Sequence, residues 1–502
     1  MRVGVRIARF STSLFRSPHF PLVSSTSRRL RCNLSPSAAS PEECELNEES
    51  DKFLRWLRQK AGSEISSVLS LENSVHGRSL FASKNIKSGE CILKVPYIAQ
   101  ITSENISGKI KLLLPRDIEN VSRLAVVLLA EKKHGEYSGW ATYVNSLPSV
   151  DEMHNAIFWS KDELEMVQES AIYQETINLQ AHIKKEYSVL GPVLEQFPYV
   201  FGDVHLMDFM HAYALGIYSA ILHLQRHIFQ GANVQFCYLK VTSRAWDTSK
   251  GVSLIPFADF LNHDGTCDAV LLSDVHNEIS EVIADRDYAV GEQVMIRYGK
   301  FSNATLLLDF GFTLPYNKYD QVQLLLDIPS HDPLYGMKSE ILKKHCWPRT
   351  TTNADKSNTT GNSFIVKEVK SANGKGKGIP QALRAFARVL SATSVEELQS
   401  LVTEATENDG RLARLPLKSN EREIQAHHIL CSRLLHMIHG HDVALKELKF
   451  VDAFDCNNQQ SLRTRMAKDL LNGELRVMKS AYAWLTNYCT SLSVPKEIYT
   501  SS

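Results

Sequence analysis

An α+β fold is predicted by three observations. Short β-prone runs separated by turn residues occur near residues 76–96 and 251–313, while a helical period fills the interval between them and nearly everything beyond residue 380. The composition, 43% hydrophobic and 22% charged over 502 residues, is that of an ordinary globular protein. At about 150 residues per domain the length admits two to four domains, each able to bury a core. A small disulfide scaffold, a collagen-like fibre and a wholly disordered chain are excluded. No apolar run approaches the ~18–20 residues needed to cross a bilayer, so no membrane partner is expected.

The elements follow in order. Residues 1–41 hold seven arginines, nine serines and no acidic residue, the pattern of an organelle transit peptide. The alternative for this segment is a disordered basic arm that binds nucleic acid. Formal charge is zero, from 56 basic and 56 acidic groups. Without the seven leader arginines, 49 basic groups face 56 acidic ones, and so acidic a body is not expected to bind nucleic acid directly. Pro41 to Ser50 reads as an acidic linker, with a helix from about Asp51. Residues 76–96, HGRSLFASKNIKSGECILKVP, read as a small hairpin-like sheet. Helices are expected from Arg123 to His134, stopped by Gly135, and from Asp162 onward. In Gln293 to Gly299 a period of two places Val294, Ile296 and Tyr298 on one face. Thr350 to Pro380 reads as a flexible polar loop apart from Phe364 to Val366. Asn420 with Glu423 resembles a capping box before a helix from Ile424 to Ile438 that Gly440 ends. A further helix fits Leu462 to Tyr488.

Nine scattered cysteines with no CxxC pair read as reduced thiols. The nearest approach to a metal site is His427, His428, Cys431, His436, His439 and His441, which read as ordinary helix-face residues, and no metal is expected. Asp309-Phe310-Gly311 lacks the glycine-rich loop and strand lysine of a kinase, and GKGKG at 374–378 lacks P-loop spacing.

The most specific segment is PFADFLNHD, Pro256 to Asp264, with GEQVMIRYGKFSNATLLLDFGF, Gly291 to Phe312, following it. An Asn-His pair at the end of one strand and a Tyr-Gly at the end of a later one resemble the SET-domain protein methyltransferases. The likeness is to the plant branch of Rubisco large-subunit and fructose-bisphosphate aldolase lysine methyltransferases. It extends through HGRSLFA, the helical run from Arg123 to Pro148, Ile157 to Trp159, SRAW at Ser243 to Trp246, and NERE and RMAKDLLNGELRVMK near the C-terminus.

The resemblance implies a SET-domain β-fold over residues 50–330, interrupted by a helical insert at about 111–240, and an all-α substrate-binding domain over 331–495. It implies S-adenosyl-L-methionine as cofactor, with His76, Gly77, Arg78, Arg244, Asn262 and His263 contacting it. Substrate contacts are implied for Arg244, Thr248, Asp259, Val270, Tyr298 and Phe310, and the catalytic residue is Tyr298. A lysine must be neutral to accept a methyl group, and deprotonating it at pH 7 costs about 4.6 kcal/mol in water. A phenol of pKa about 10 is itself seldom ionised, so Tyr298 is expected to orient the amine while desolvation lowers the amine's pKa.

Departures from the family pattern are specific. Ser79 stands where a second glycine is usual, either crowding the cofactor or adding a hydroxyl. Val270 and Phe310 replace channel tyrosines, and Thr248 replaces a substrate-facing arginine. About 25 residues, Gly216 to Lys240, intervene before Arg244, either a surface insertion or a retained in-frame intron. The expected function is lysine N-methylation of a plastid protein by a monomer in the chloroplast stroma, with a mitochondrial destination also possible. The alternatives are a histidine acceptor and a weak or inactive structural component of an organellar complex such as the plastid transcription machinery.

Overall fold

The computed structural model describes residues 41–74, 77–106, 108–216, 245–248, 251–274, 276–345, 362–412, 415–451 and 459–493. Residues 50–502 form one compact unit, and residues 1–49 form another, of which only the start of helix α1, Pro41–Ala61, is described. The transit-peptide reading of residues 1–41, but for Pro41, and the insertion after Gly216 thus lie outside the described residues.

The first β-rich part is built from short strands. β1, Leu69–Ser74, and β2, Gly77–Ala82, form an antiparallel hairpin closed by Ser74 opposite Gly77. Gly77 has φ +86°, a left-handed conformation that costs glycine little. The hairpin expected within 76–96 therefore lies one strand earlier. Strand β3, Cys91–Pro96, instead pairs with β9, Ile279–Ile283, far along the chain, where Ile92, Leu93 and Val95 are buried across a register shift between Cys91 and Leu93. β4, Ile101–Thr102, pairs with β6, Gly251–Leu254, which also pairs with β5, Ala245–Thr248. β8, Leu271–Asp274, completes the sheet of β3 and β9.

Between these strands lie helices α2, Asn120–His134, α3, Ala171–Gln196, and α4, Leu206–Gly216. Helix α2 buries Val121, Leu124, Ala125 and Leu128, and ends at Gly135 with φ +55°, as its sequence predicts. The helix expected from Asp162 is broken in two: Ser160 and Glu163 form a capping box for the short piece Lys161–Glu165, and Ser170 caps α3.

The C-terminal part opens with β11, Gln321–Leu325, paired antiparallel to β12, Ser363–Lys367. The predicted loop 350–380 thus contains a strand: Phe364 and Val366 are buried and give it a core face. Helices α5, Tyr335–His345, α6, Gln381–Leu390, and α7, Val395–Glu407, precede two long ones, α8, Asn420–Val451, and α9, Gln459–Ser493. Gly440 does not end α8. Burial of Leu430, Leu434, Ile438, Leu445 and Leu448 carries the helix through it, since tertiary packing outweighs a single glycine's ~1 kcal/mol penalty. Nor does Glu423 cap α8. It is buried and bonded to both Arg388 Nε (2.8 Å) and Nη2 (2.6 Å), while Ser419 Oγ accepts from Arg422 N. Of the candidate metal ligands, His427 and His441 are buried against Glu423 and Glu474, whereas His428, His436 and His439 are exposed. Among the described residues no group of three or more His, Cys, Asp or Glu side chains could hold a metal ion, and no helix is long and apolar enough to cross a membrane.

Candidate active site

Two residues of parallel ladder assemble the site. β7, Asn262–His263, pairs with β10, Met295–Ile296, placing Met295 beside Asn262 and Ile296 beside His263. The predicted alternation holds, with Val294, Ile296 and Tyr298 all buried, although only two residues form the ladder. Val294 N donates to Leu80 O at 2.9 Å, which fastens this segment to β2. Gly299 must be glycine, since a Cβ there would lie 2.3 Å from the Phe301 ring.

Tyr298 is fixed at both ends. Its backbone N–H donates to His263 Nδ1 at 3.1 Å, and its hydroxyl donates to the carbonyl of Leu261 at 2.7 Å. With its proton committed to a carbonyl, the hydroxyl can offer a second group only acceptor character. Aromatic rings enclose it. Phe310 stacks on it at 5.2 Å between centroids, the His263 ring lies at 5.1 Å, and Trp246 approaches edge-on at 6.5 Å. Burial lowers the His263 pKa to about 4, so the ring is neutral and its Nδ1 is free to accept the Tyr298 N–H.

Phe310 arrives by an irregular route. Leu306–Phe310 forms a π-helical turn, whose Leu308 and Asp309 carbonyls accept from Asn155 Nδ2 at 3.3 and 2.7 Å. Gly311 ends it in the left-handed region at φ +75°, where a Cβ would lie 2.8 Å from Asn155 N. A second irregularity precedes the Asn-His pair: Phe257 is buried at φ +75°, an uncommon conformation for a side chain of its size.

The remaining candidates are distributed around this centre. Asn262 donates Nδ2 to Ser79 Oγ at 2.7 Å, and Gly77 lies two residues before Ser79 in an exposed turn. Arg78 is half-buried beside them, facing Asn73 across the hairpin. Val270 is half-buried immediately before β8, next to Ala269, whose carbonyl accepts from Arg297 N at 2.9 Å. Asp259 is buried and accepts from Tyr143 OH at 2.9 Å. Thr248 ends β5 opposite Gly251. His76 and Arg244 lie outside the described residues. Sequence reasoning assigned no role to Tyr143, although it lies in the Arg123 to Pro148 run that carries the resemblance, nor to Asn155, which lies outside the quoted motifs, and it left the role of Ser79 open.

A mixed fold whose strand ends bring an Asn-His pair and a Tyr-Gly together, followed by a helical region, defines the class. The SET domain family matches residues 77–299, and the family described as Rubisco LSMT substrate-binding matches residues 329–478. The chain thus carries a SET domain followed by a region matching the Rubisco LSMT substrate-binding domain. It is similar to the [fructose-bisphosphate aldolase]-lysine N-methyltransferase, chloroplastic, of Arabidopsis thaliana, with 26% identity over 64% of this chain and 63% of that protein. The chain thus spans a little under two thirds of that relative's length. The actin-histidine N-methyltransferase of Homo sapiens is 24% identical over 86% of this chain and 67% of its own. In fold the chain resembles the structure of Rubisco LSMT bound to AdoMet, at a TM-score of 0.65 and 21% identity, covering 89% of this chain and 93% of that one.

Proposed function

We propose that the protein is an S-adenosylmethionine-dependent protein-lysine N-methyltransferase acting on a plastid protein, with residues 50–330 as the catalytic region and 331–495 as the substrate-binding domain. The observation that carries the reading is the joint placement of Asn262, His263 and Tyr298 by the β7–β10 ladder. These residues fit a sulfonium cofactor. A Cβ on Gly77 would meet nothing within 4 Å, so the exposed turn leaves room for close backbone approach. The neutral His263 ring places no positive charge against a cation. Gly77, Arg78, Asn262 and His263 would hold the cofactor, with His76 and Arg244 assigned the same role on the family resemblance.

The bound cofactor supplies an electrophilic methyl group for in-line transfer to an amine. The chain's own residues do the rest. The aromatic walls of Tyr298, Phe310 and Trp246 exclude water, which disfavours an ammonium and lowers the acceptor's pKa. Tyr298, held by Leu261 O and His263 Nδ1, offers its oxygen to orient the acceptor. Val270, Thr248 and Asp259 complete the substrate side on the resemblance, with Asp259 accepting from Tyr143 OH.

The test is transfer of labelled methyl from S-adenosylmethionine to protein in a plastid extract, comparing wild type with Tyr298→Phe. Wild type should label a discrete protein, and the variant should lose about 100-fold or more in kcat while still binding cofactor. A folded wild-type protein that binds cofactor yet labels nothing would overturn the enzyme reading and leave a structural component of an organellar complex. One observation favours a histidine acceptor as a second reading: the wall facing Tyr298 is Phe310, with no hydroxyl to accept from an ammonium. Imidazole, with a pKa near 6.5, is largely neutral at pH 7 and needs no such partner. Mass spectrometry of the labelled residue separates the two. Fusing residues 1–60 to a fluorescent protein tests chloroplast against mitochondrion.

A further inference from the structure

We propose that Ser79 is a positioning residue for Asn262, acting through a chain of hydrogen bonds that starts at the Asn262 amide and ends on the Gly77 carbonyl. The inference rests on the reading of Asn262 and Gly77 as cofactor contacts, and it adds a residue where the family's usual glycine has no side chain. Ser79 is fully buried in β2. Its Oγ accepts from Asn262 Nδ2 at 2.7 Å and lies 2.8 Å from Ser74 Oγ and 3.2 Å from Gly77 O. Ser74 Oγ in turn donates to Gly77 O at 3.1 Å.

Because Ser79 accepts from Asn262, its single proton goes either to Ser74, which passes its own to Gly77 O, or to Gly77 O directly. Both routes end on the same carbonyl. Hydrogen bonds in such a chain polarise one another, and away from water they hold direction well. Two consequences follow. Asn262 presents Nδ2 to Ser79, so Oδ1 is the end of the amide turned the other way, an acceptor for a donor-bearing ligand group. The carbonyl of Gly77, in a turn where glycine's backbone has the most freedom, is held by a side chain instead of by local stiffness. Parts of the site 183 residues apart are thereby set in one geometry.

The test measures S-adenosylmethionine binding by calorimetry and steady-state kinetics in the full chain. Ser79→Ala should raise the Kd and the KM for the cofactor about five- to tenfold, with the loss falling on KM more than on kcat. Ser79→Gly, which needs no extra space, should do the same and guards against a folding defect in the first variant. In an Asn262→Ala background, Ser79→Ala should cause a smaller loss than in the wild type, since only its hold on the Gly77 carbonyl remains to be removed. Unchanged cofactor affinity in both Ser79 variants, or losses that simply multiply with that of Asn262→Ala, would overturn the proposal while leaving the methyltransferase reading intact. A wild-type protein that binds no S-adenosylmethionine would overturn the functional reading itself, and the role of Ser79 with it.

Discussion

Burial, more than any neighbouring charge, sets the state of the histidines that matter. His263 in the site and His427 on the buried face of α8 both have pKa values lowered to about 4 by desolvation, with Arg297 adding to the effect at the first and Arg384 and Arg388 at the second. A histidine with a depressed pKa is neutral when folded and charges on unfolding. The stability it contributes is present above about pH 6.5 and is lost as pH falls toward 4. His427→Gln should therefore remove part of the acid sensitivity: between pH 7 and 4.5 it should lose about 2–3 kcal/mol less unfolding free energy than wild type, read from urea transitions. Residue identities at the site were legible where the family pattern is strong, at Asn262, His263 and Tyr298. Ser79 was legible only as an anomaly, because a hydrogen bond spanning 183 residues leaves no local trace. Asp259 was legible as part of the motif but not as a carboxylate covered by Tyr143.

Among the elements, the two glycines of the long C-terminal helices separate propensity from packing. Gly440 lies within α8, and a Cβ there would meet the end of the Glu169 side chain at 2.2 Å. Glu169 is exposed and can swing away, so Gly440→Ala should be neutral or stabilising by up to about 1 kcal/mol in thermal unfolding. Gly473 lies within α9, and a Cβ there would fall 2.1 Å from Asp320 Oδ2. Asp320 is buried and cannot move cheaply: it accepts from Asn303 N at 2.9 Å and from Arg476 Nη2 at 3.1 Å. Gly473→Ala should cost about 2 kcal/mol or more and lower the melting temperature, despite its better helix propensity. Periodicity located these helices and the strand alternation around Tyr298. It misplaced the helix stop at Gly440 and the hairpin near residue 76, because partners distant in sequence override local signals.

Across the molecule, polar contacts tie the helical C-terminal region to the SET region. Arg463 of α9 bonds Glu163 at 2.7 Å and the carbonyls of Phe158 and Met153 at 3.3 and 3.4 Å. Glu474 joins Ser170 at 2.7 Å to His441 at 2.9 Å, and Asp469 accepts from Thr313 Oγ1 at 2.9 Å. The Arg463 and Glu163 side chains are 8% and 14% exposed, so removing one partner leaves a charge largely cut off from water. Arg463→Ala should cost roughly 3 kcal/mol. Residues 50–502 should melt in one calorimetric transition, not as separate catalytic and helical parts. The order of β-rich, helical, β-rich and helical segments was legible from period and turn chemistry. The joining contacts were not, because they pair residues between 156 and 310 positions apart whose polarity alone reads as surface.

The brevity of the β7–β10 ladder carries a dynamic consequence. Two residue pairs give little backbone cohesion, and the paired segments are separated by more than thirty residues. Local opening needs far less free energy than global unfolding where ladders are short. The amides of Asp264 and Tyr298, bonded to Ile296 O and His263 Nδ1, should exchange with deuterium sooner than those of the five-residue β3–β9 ladder. A ligand seated across Asn262 and Tyr298 would slow that exchange, so the candidate site reports its own occupancy through the breathing of a very small piece of sheet.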